Sequence, residues 1–339
     1  MTDDNQESAG DGRTPVLVAI GEGLLEVGVR DDLPPDYLGR GYGGDVANVA
    51  IMAARMGIKA RLLTRLGADA PGALLMDYWQ QSGLDVSRVA VDDSAPTGVY
   101  VNAVGFGEHR FHYYRSNSAA TLLNEEDVDG PLLGDADALH VSGISLAISD
   151  SAARAAERAA ELARDRGIPV AFCVNHRPAL RPDTGRGVEF ARGATIVILS
   201  GEDARGLFGT DRPEQVRAAL GPVPREIVMT DGAAGATVLT PSHDYQVAAP
   251  PVEVVDTAGA GDALAGTYMA GRLAGAGPRE ALEQAVIAGS LSCRYTGCAR
   301  SYPTLAEVRR AQFANSTQAA GIPAKADPLV TAPDEPYGT

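Results

Sequence analysis

Short runs of β-branched and apolar residues recur along this chain with helix-periodic segments between them, and that alternation constrains the fold more than any other feature. PVLVAIG at 15–21 reads as a buried strand, and DVANVAIMAARMG at 45–57 as a helix closed by Gly57. ARLLTRLG is strand-like, and DAPGALLMDYWQQSG is a helix ending at Gly83. DALHVSG at 137–143 is a strand, and SDSAARAAERAAELARDRG at 149–167 is a helix with a Ser or Asp cap and a terminal glycine. IPVAFCV, TIVILS and REIVMTDG continue the series. The pattern predicts an α/β fold, a mostly parallel sheet wrapped by helices on both faces. One stretch breaks the rhythm: TGVYVNAVGFGEHRFHYYR at 97–115 is two alternating strand patterns around a Gly-rich turn. It predicts an inserted β-hairpin, aromatic and ending on an arginine, suited to a lid over a ligand site. Residues 1–13 and 316–339 lack apolar periodicity and read as mobile tails, which leaves one domain over 14–315.

Charge narrows the partners. A formal net charge of -15 argues against nucleic acid and anionic membrane, so an anionic ligand needs a locally positive pocket. The acidic, polar start MTDDNQESAGDGR has neither the basic nor the apolar region of a signal peptide, and no apolar run approaches the roughly 18 residues of a spanning helix. Cys173, Cys293 and Cys298 show no C-x-x-C spacing, which fits a reduced, cytoplasmic setting. The histidines form no H-E-x-x-H pair.

Lysine is limited to Lys59 and Lys325, so neither a P-loop nor a protein-kinase strand lysine can be assembled. Gly21-x-Gly23 follows the first strand, but Glu26 holds the third glycine's place in a dinucleotide fingerprint, which argues against a dehydrogenase. Any phosphate chemistry must use backbone dipoles, arginine and a metal. The run VVDTAGAGDALAGTYMAG at 254–271 offers the dipoles. Its Gly259, Ala260 and Gly261 open a helix, where bare N–H groups form an anion hole. Asp262 at the rim can take the proton of an attacking hydroxyl.

The D-T-x-G-A-G-D run resembles the C-terminal signature of the ribokinase-like (PfkB-type) carbohydrate kinases, and GGDVANVAIMAARMG at 43–57 resembles that family's first signature. The likeness spans about Val16 to Val308. It implies a three-layer α/β sandwich with a small β lid drawn from about 33–43 and 97–115, ATP and magnesium as cofactors, and Asp262 as catalytic base. Thr230, Gly232 and Gly235 match the nucleotide-side T-x-G-x-x-G loop, with Gly259 and Gly261 on the phosphates. The helical segment 285–297, including Ala288, matches the part that packs on adenine. The usual N-x-x-E motif is here Ser200-Gly201-Glu202-Asp203, so Ser200 takes the nucleotide side and Asp203 reaches magnesium through water. A potassium ion near this loop would fall to Asp256, Ala258, Gly297 and Ser301.

Within that family, YYRSNSAA at 113–120 and VNHRPAL at 174–180 resemble the 2-keto-3-deoxygluconate kinases, as does Gly-Glu in place of Gly-Asp after the first strand. Arg115 and Arg177 then meet the sugar acid, since a planar guanidinium pairs with a carboxylate through two hydrogen bonds. Gly43, Gly44, Asn48, Tyr100, Tyr113 and Tyr114 complete the sugar pocket on this resemblance. A kinase of fructose or of a nucleoside, and a non-catalytic sugar-acid or nucleotide sensor, stay open as alternatives. The lid implies a homo-oligomer, a dimer or larger.

Overall fold

The computed structural model describes residues 12–30, 34, 36–104, 110–181 and 184–319. Its strands run in chain order as β1 (Val16–Ile20), β2 (Leu24–Arg30), β3 (Gly39–Gly43), β4 (Lys59–Gly67), β5 (Asp85–Asp92), β6 (Val99–Val104) and β7 (Arg110–Tyr114). They continue as β8 (Ala138–Ser142), β9 (Val170–Cys173), β10 (Ile196–Ser200), β11 (Glu226–Thr230), β12 (Ala236–Leu239) and β13 (Asp244–Val247). Nine form a central sheet in the order β13-β12-β11-β10-β9-β8-β1-β4-β5. Its pairs are parallel from β5 to β11, and only the β11–β12 and β12–β13 pairs are antiparallel. The alternation in the sequence thus becomes a sheet buried on both faces, which is why its strands read as continuous apolar runs rather than alternating ones.

Helices cover both faces. On one, Asp150–Asp165 buries seven alanines against the sheet, capped by the Ser149 hydroxyl on the Ala152 N–H. On the other lie Asp45–Arg55, Ala260–Leu273 and Pro278–Ser292. The small residues of 260–273 serve this packing: a Cβ on Gly266 would stand 2.5 Å from the Val49 carbonyl oxygen. Trp79 and Phe172 are fully buried, each contributing roughly 1.5–3 kcal/mol.

The remaining strands form a second sheet, β3-β2-β6-β7. The expected hairpin is its β6–β7 pair, antiparallel from Val99↔Tyr114 to Ala103↔Arg110, while the turn at 105–109 lies outside the described residues. The lid is larger than the sequence reading allowed, because β2 belongs to it. Glu26 interrupts that strand's apolar pattern, but its carboxylate accepts hydrogen bonds from Tyr100 Oη and Asn102 Nδ2 across β6, which satisfies a charge that looked like a turn. Two boundaries also move. Arg13, assigned to a tail, pairs with Asp137, Nη1 to Oδ2 at 2.8 Å. The final helix Leu305–Ala319 enters the segment read as the C-terminal tail, since no Gly or Pro precedes Gly321. The rest of both expected tails lies outside the described residues.

Candidate active site

The crevice between the two sheets lies at the carboxyl ends of the parallel strands, where α/β sheets bind ligands. Two helices begin there behind glycines in positive φ, Gly44 at 97° and Gly259 at 76°. Neither helix has a side-chain cap, so their first N–H groups are left for a ligand. At Gly44 a side chain is also barred by contact: a Cβ would lie 2.5 Å from the Glu22 carbonyl oxygen.

A cavity of about 400 Å³ fills this crevice, a size suited to a small metabolite. Gly44, Asp45 and Asn48 line it from one helix, and Gly259, Gly261 and Asp262 from the other. Glu22 follows β1, Ile144 follows β8, and Asn175 and Arg177 follow β9. Tyr100, Phe111, Tyr113 and Arg115 come from the lid. Residues more than two hundred positions apart in the chain thereby meet: Asn48 Nδ2 donates to Asp262 Oδ2 at 2.9 Å.

Burial pushes the Asp262 carboxyl up to about 7, and the Asp45 charge adds to the shift. Asn48, Arg177 and Asn175 pull the other way. Burial likewise pushes Glu22 up to about 7, against the pull of the Arg115 guanidinium that bonds it. Arg115 is 8% exposed and lies 4.4 Å from the centre of the Tyr113 ring, so its charge is shared with Glu22 and a π face. Arg177 differs: it is exposed at the cavity wall, donates only to the His176 carbonyl and makes no ion pair among the described residues.

The N–H groups at the start of the Ala260–Leu273 helix differ in what they bond. Ala260 N–H closes a turn onto the Thr257 carbonyl at 3.2 Å, while the N–H groups of Gly259, Gly261 and Asp262 have no partner among the described residues. Ser200 and Thr230 are register neighbours at the ends of β10 and β11, with Gly232 beyond them, outside the cavity. Gly235 is required by the turn into β12, where φ is 103° and a Cβ would meet the Val247 carbonyl oxygen at 2.0 Å.

Several expected contacts are not brought to the cavity. Tyr114 alternates with Tyr113 along β7, so it faces away and is 68% exposed. Gly43 lies against the Tyr100 ring instead of lining the cavity, since a Cβ there would be 2.6 Å from Tyr100 Oη. Ala288 is fully buried in the core, leaving no face for adenine. Asp203 folds back into a helix cap: Oδ2 accepts from Ser200 N and Oγ at 2.9 and 2.8 Å, and Oδ1 from His176 N at 2.7 Å. The two residues thus form a reciprocal capping box at the start of the Gly201–Phe208 helix. Asp256 accepts from the N–H groups of Ala258 and Gly297, both at 2.9 Å, and Ser301 Oγ donates to the Cys298 carbonyl. Asp45 and Asn175 went unread, although each lies within three positions of a residue that was named. A polar residue inside GGDVAN was the available signal.

A family model described as pfkB family carbohydrate kinase matches residues 24–305. A 2-dehydro-3-deoxygluconokinase of Thermoproteus tenax is 35% identical over 300 residues, covering 85% of this chain and 91% of its own. A probable fructokinase-5 of Arabidopsis thaliana is 28% identical over 326 residues, covering 88% and 97%. Among solved structures, a putative ribokinase II from E. coli, in complex with ATP and magnesium, superposes with a TM-score of 0.80 at 23% identity, over 89% of this chain and all of that one. Likeness at that identity speaks for the fold.

Proposed function

The chain belongs to the pfkB family of carbohydrate kinases, with the ribokinase-like α/β fold, and on that premise we propose that it transfers the γ-phosphoryl group of ATP to the terminal hydroxyl of 2-keto-3-deoxygluconate. This is the same compound as the 2-dehydro-3-deoxygluconate in the name of the Thermoproteus tenax relative. The observation that carries the sugar-acid reading is Arg177, a guanidinium at the cavity wall with no carboxylate partner among the described residues. It suits a substrate carboxylate at the cavity wall.

Asp262 accepts the proton of the attacking hydroxyl, with Asn48 fixing one of its oxygens. The unbonded N–H groups of Gly259, Gly261 and Asp262 suit the transferring phosphoryl oxygens, each such donor being worth on the order of 10²-fold or more. Tyr100 and Tyr113 of the lid wall the sugar from water. No group of three or more His, Cys, Asp or Glu among the described residues could cage a metal, and the Asp203 oxygens are engaged. The residues present therefore fit a magnesium ion that arrives on the nucleotide phosphates with its own waters. When bound, magnesium neutralises phosphate charge. The carbonyl oxygens of Ala258, Gly297 and Ser301 accept no hydrogen bond among the described residues, a donor set suited to potassium, with Asp256 holding their loops together. The β7 edge is exposed from Arg110 to Tyr114 and offers a strand for pairing with a second subunit's lid.

One observation favours a neutral sugar such as fructose: Glu22 neutralises Arg115 inside the same cavity. The test is ADP release on 2-keto-3-deoxygluconate, its galactonate epimer, fructose, ribose and adenosine, with Asp262→Asn beside wild type. Wild type should turn over the sugar acid best, and the substitution should cost roughly 10²- to 10⁴-fold in kcat. Binding without turnover on every sugar would point to a sensor, and full activity of Asp262→Asn would remove the base.

A further inference from the structure

The cavity holds a second carboxylate that no part of the mechanism above uses. Asp45 is the first residue of the Asp45–Arg55 helix and lines the same space as Asp262. Its Oδ2 is fixed twice, by Ser142 Oγ and, at 3.1 Å, by Asn175 Nδ2. Its Oδ1 is shielded from bulk solvent and has no partner. A buried carboxylate oxygen without a donor is costly, so its persistence calls for a group that supplies one. Asn175 lines the same cavity as Asp262 and holds Asp45 from a backbone φ of 38° that few residues other than Asn, Asp and Gly adopt.

Resting on the sugar-kinase reading above, we infer that Asp45 is a specificity-determining residue, whose Oδ1 accepts a hydrogen bond from the substrate hydroxyl beside the one that Asp262 deprotonates. The end of a sugar chain presents two adjacent hydroxyl donors, and two carboxylates lining one cavity can accept one each. Proximity has a second consequence, since like charges in a buried space raise each other's proton affinity. The groups facing Asp262 are Asp45, Arg177 after β9, Cys173 at the end of β9, Cys298 in the Cys298–Ser301 helix and Tyr302 beyond it. Burial pushes both thiols and the phenol up, so they stay protonated, and it is the Asp45 charge that adds to the rise of Asp262. Those facing Asp45 include Glu22 after β1 and His140 of β8, which burial keeps neutral by pushing it down to about 4.

The test measures kcat/KM on 2-keto-3-deoxygluconate and its 5-deoxy analogue in wild type and Asp45→Ala, and the pH profile of kcat in wild type and the isosteric Asp45→Asn. Wild type should lose roughly 10²-fold or more on the 5-deoxy analogue, and Asp45→Ala should lose most of that discrimination. In Asp45→Asn the acid limb of kcat should move to lower pH, because the charge that holds the proton on Asp262 is gone. A role confined to fixing Ser142 and Asn175 would leave that limb in place. The limb is read on whichever panel sugar wild type turns over, so failure of the sugar-acid reading, seen as no wild-type turnover of that acid, is told apart from failure of this one. Full discrimination retained in Asp45→Ala, or an unmoved limb in Asp45→Asn, overturns the inference.

Discussion

As the proposed base, Asp262 would have to take a hydroxyl proton while sitting in the first turn of a helix whose N-terminus attracts anions. Burial and the Asp45 charge meet the first demand by raising its carboxyl to about 7, and the Asn48 amide keeps it from rising further. A base works when ionised, so kcat/KM should climb as pH rises through a limb near 7 and fall below it. Asn48→Ala removes a hydrogen bond to the charged form and should move that limb up by roughly one unit, read from the pH profile. At this scale the sequence exposed Asp262 and Asn48, because both sit in runs whose residue types announce their chemistry. Asp45 stayed hidden for a physical reason: its meaning comes from Ser142 and Asn175, 97 and 130 positions away, and only folding brings them together.

The decisive element is the helix Ala260–Leu273, whose N-terminus depends on a left-handed glycine. Gly259 has a φ of 76°, and a Cβ there would lie 2.7 Å from Tyr302 Oη. Gly259→Ala should therefore cost about 1–2 kcal/mol in urea unfolding and lower kcat more than it raises the sugar KM, since it tilts the phosphate-side amides. Parallel strands and long helices were readable from apolar runs and capped periodicity. The lid was only half readable, because Glu26 in β2 is satisfied by β6 partners that local pattern cannot supply. In the Pro278–Ser292 helix a small residue serves helix packing: a Cβ on Gly289 would stand 3.1 Å from the Ala260 carbonyl oxygen.

At the scale of the molecule, a chain of net charge -15 with two lysines must hold an anionic substrate through a few local devices. On the proposed function the unbonded amides would answer for the phosphates, and Arg177 for the sugar acid. The mostly parallel sheet followed from the alternation of elements, whereas the charge balance of the cavity did not. Glu22, Asp45 and Asp262 face Arg115 and Arg177 there, and the Glu22–Arg115 pair takes one guanidinium out of play. On the proposed function, the choice between an acidic and a neutral sugar therefore turns on the remaining one. The direct measurement is the ratio of kcat/KM on 2-keto-3-deoxygluconate to that on fructose, in wild type and in Arg177→Ala. The ratio should favour the sugar acid in wild type and fall by about 10- to 100-fold in the variant, with fructose turnover nearly unchanged. A wild type that prefers fructose, or a ratio indifferent to the loss of Arg177, would contradict the account.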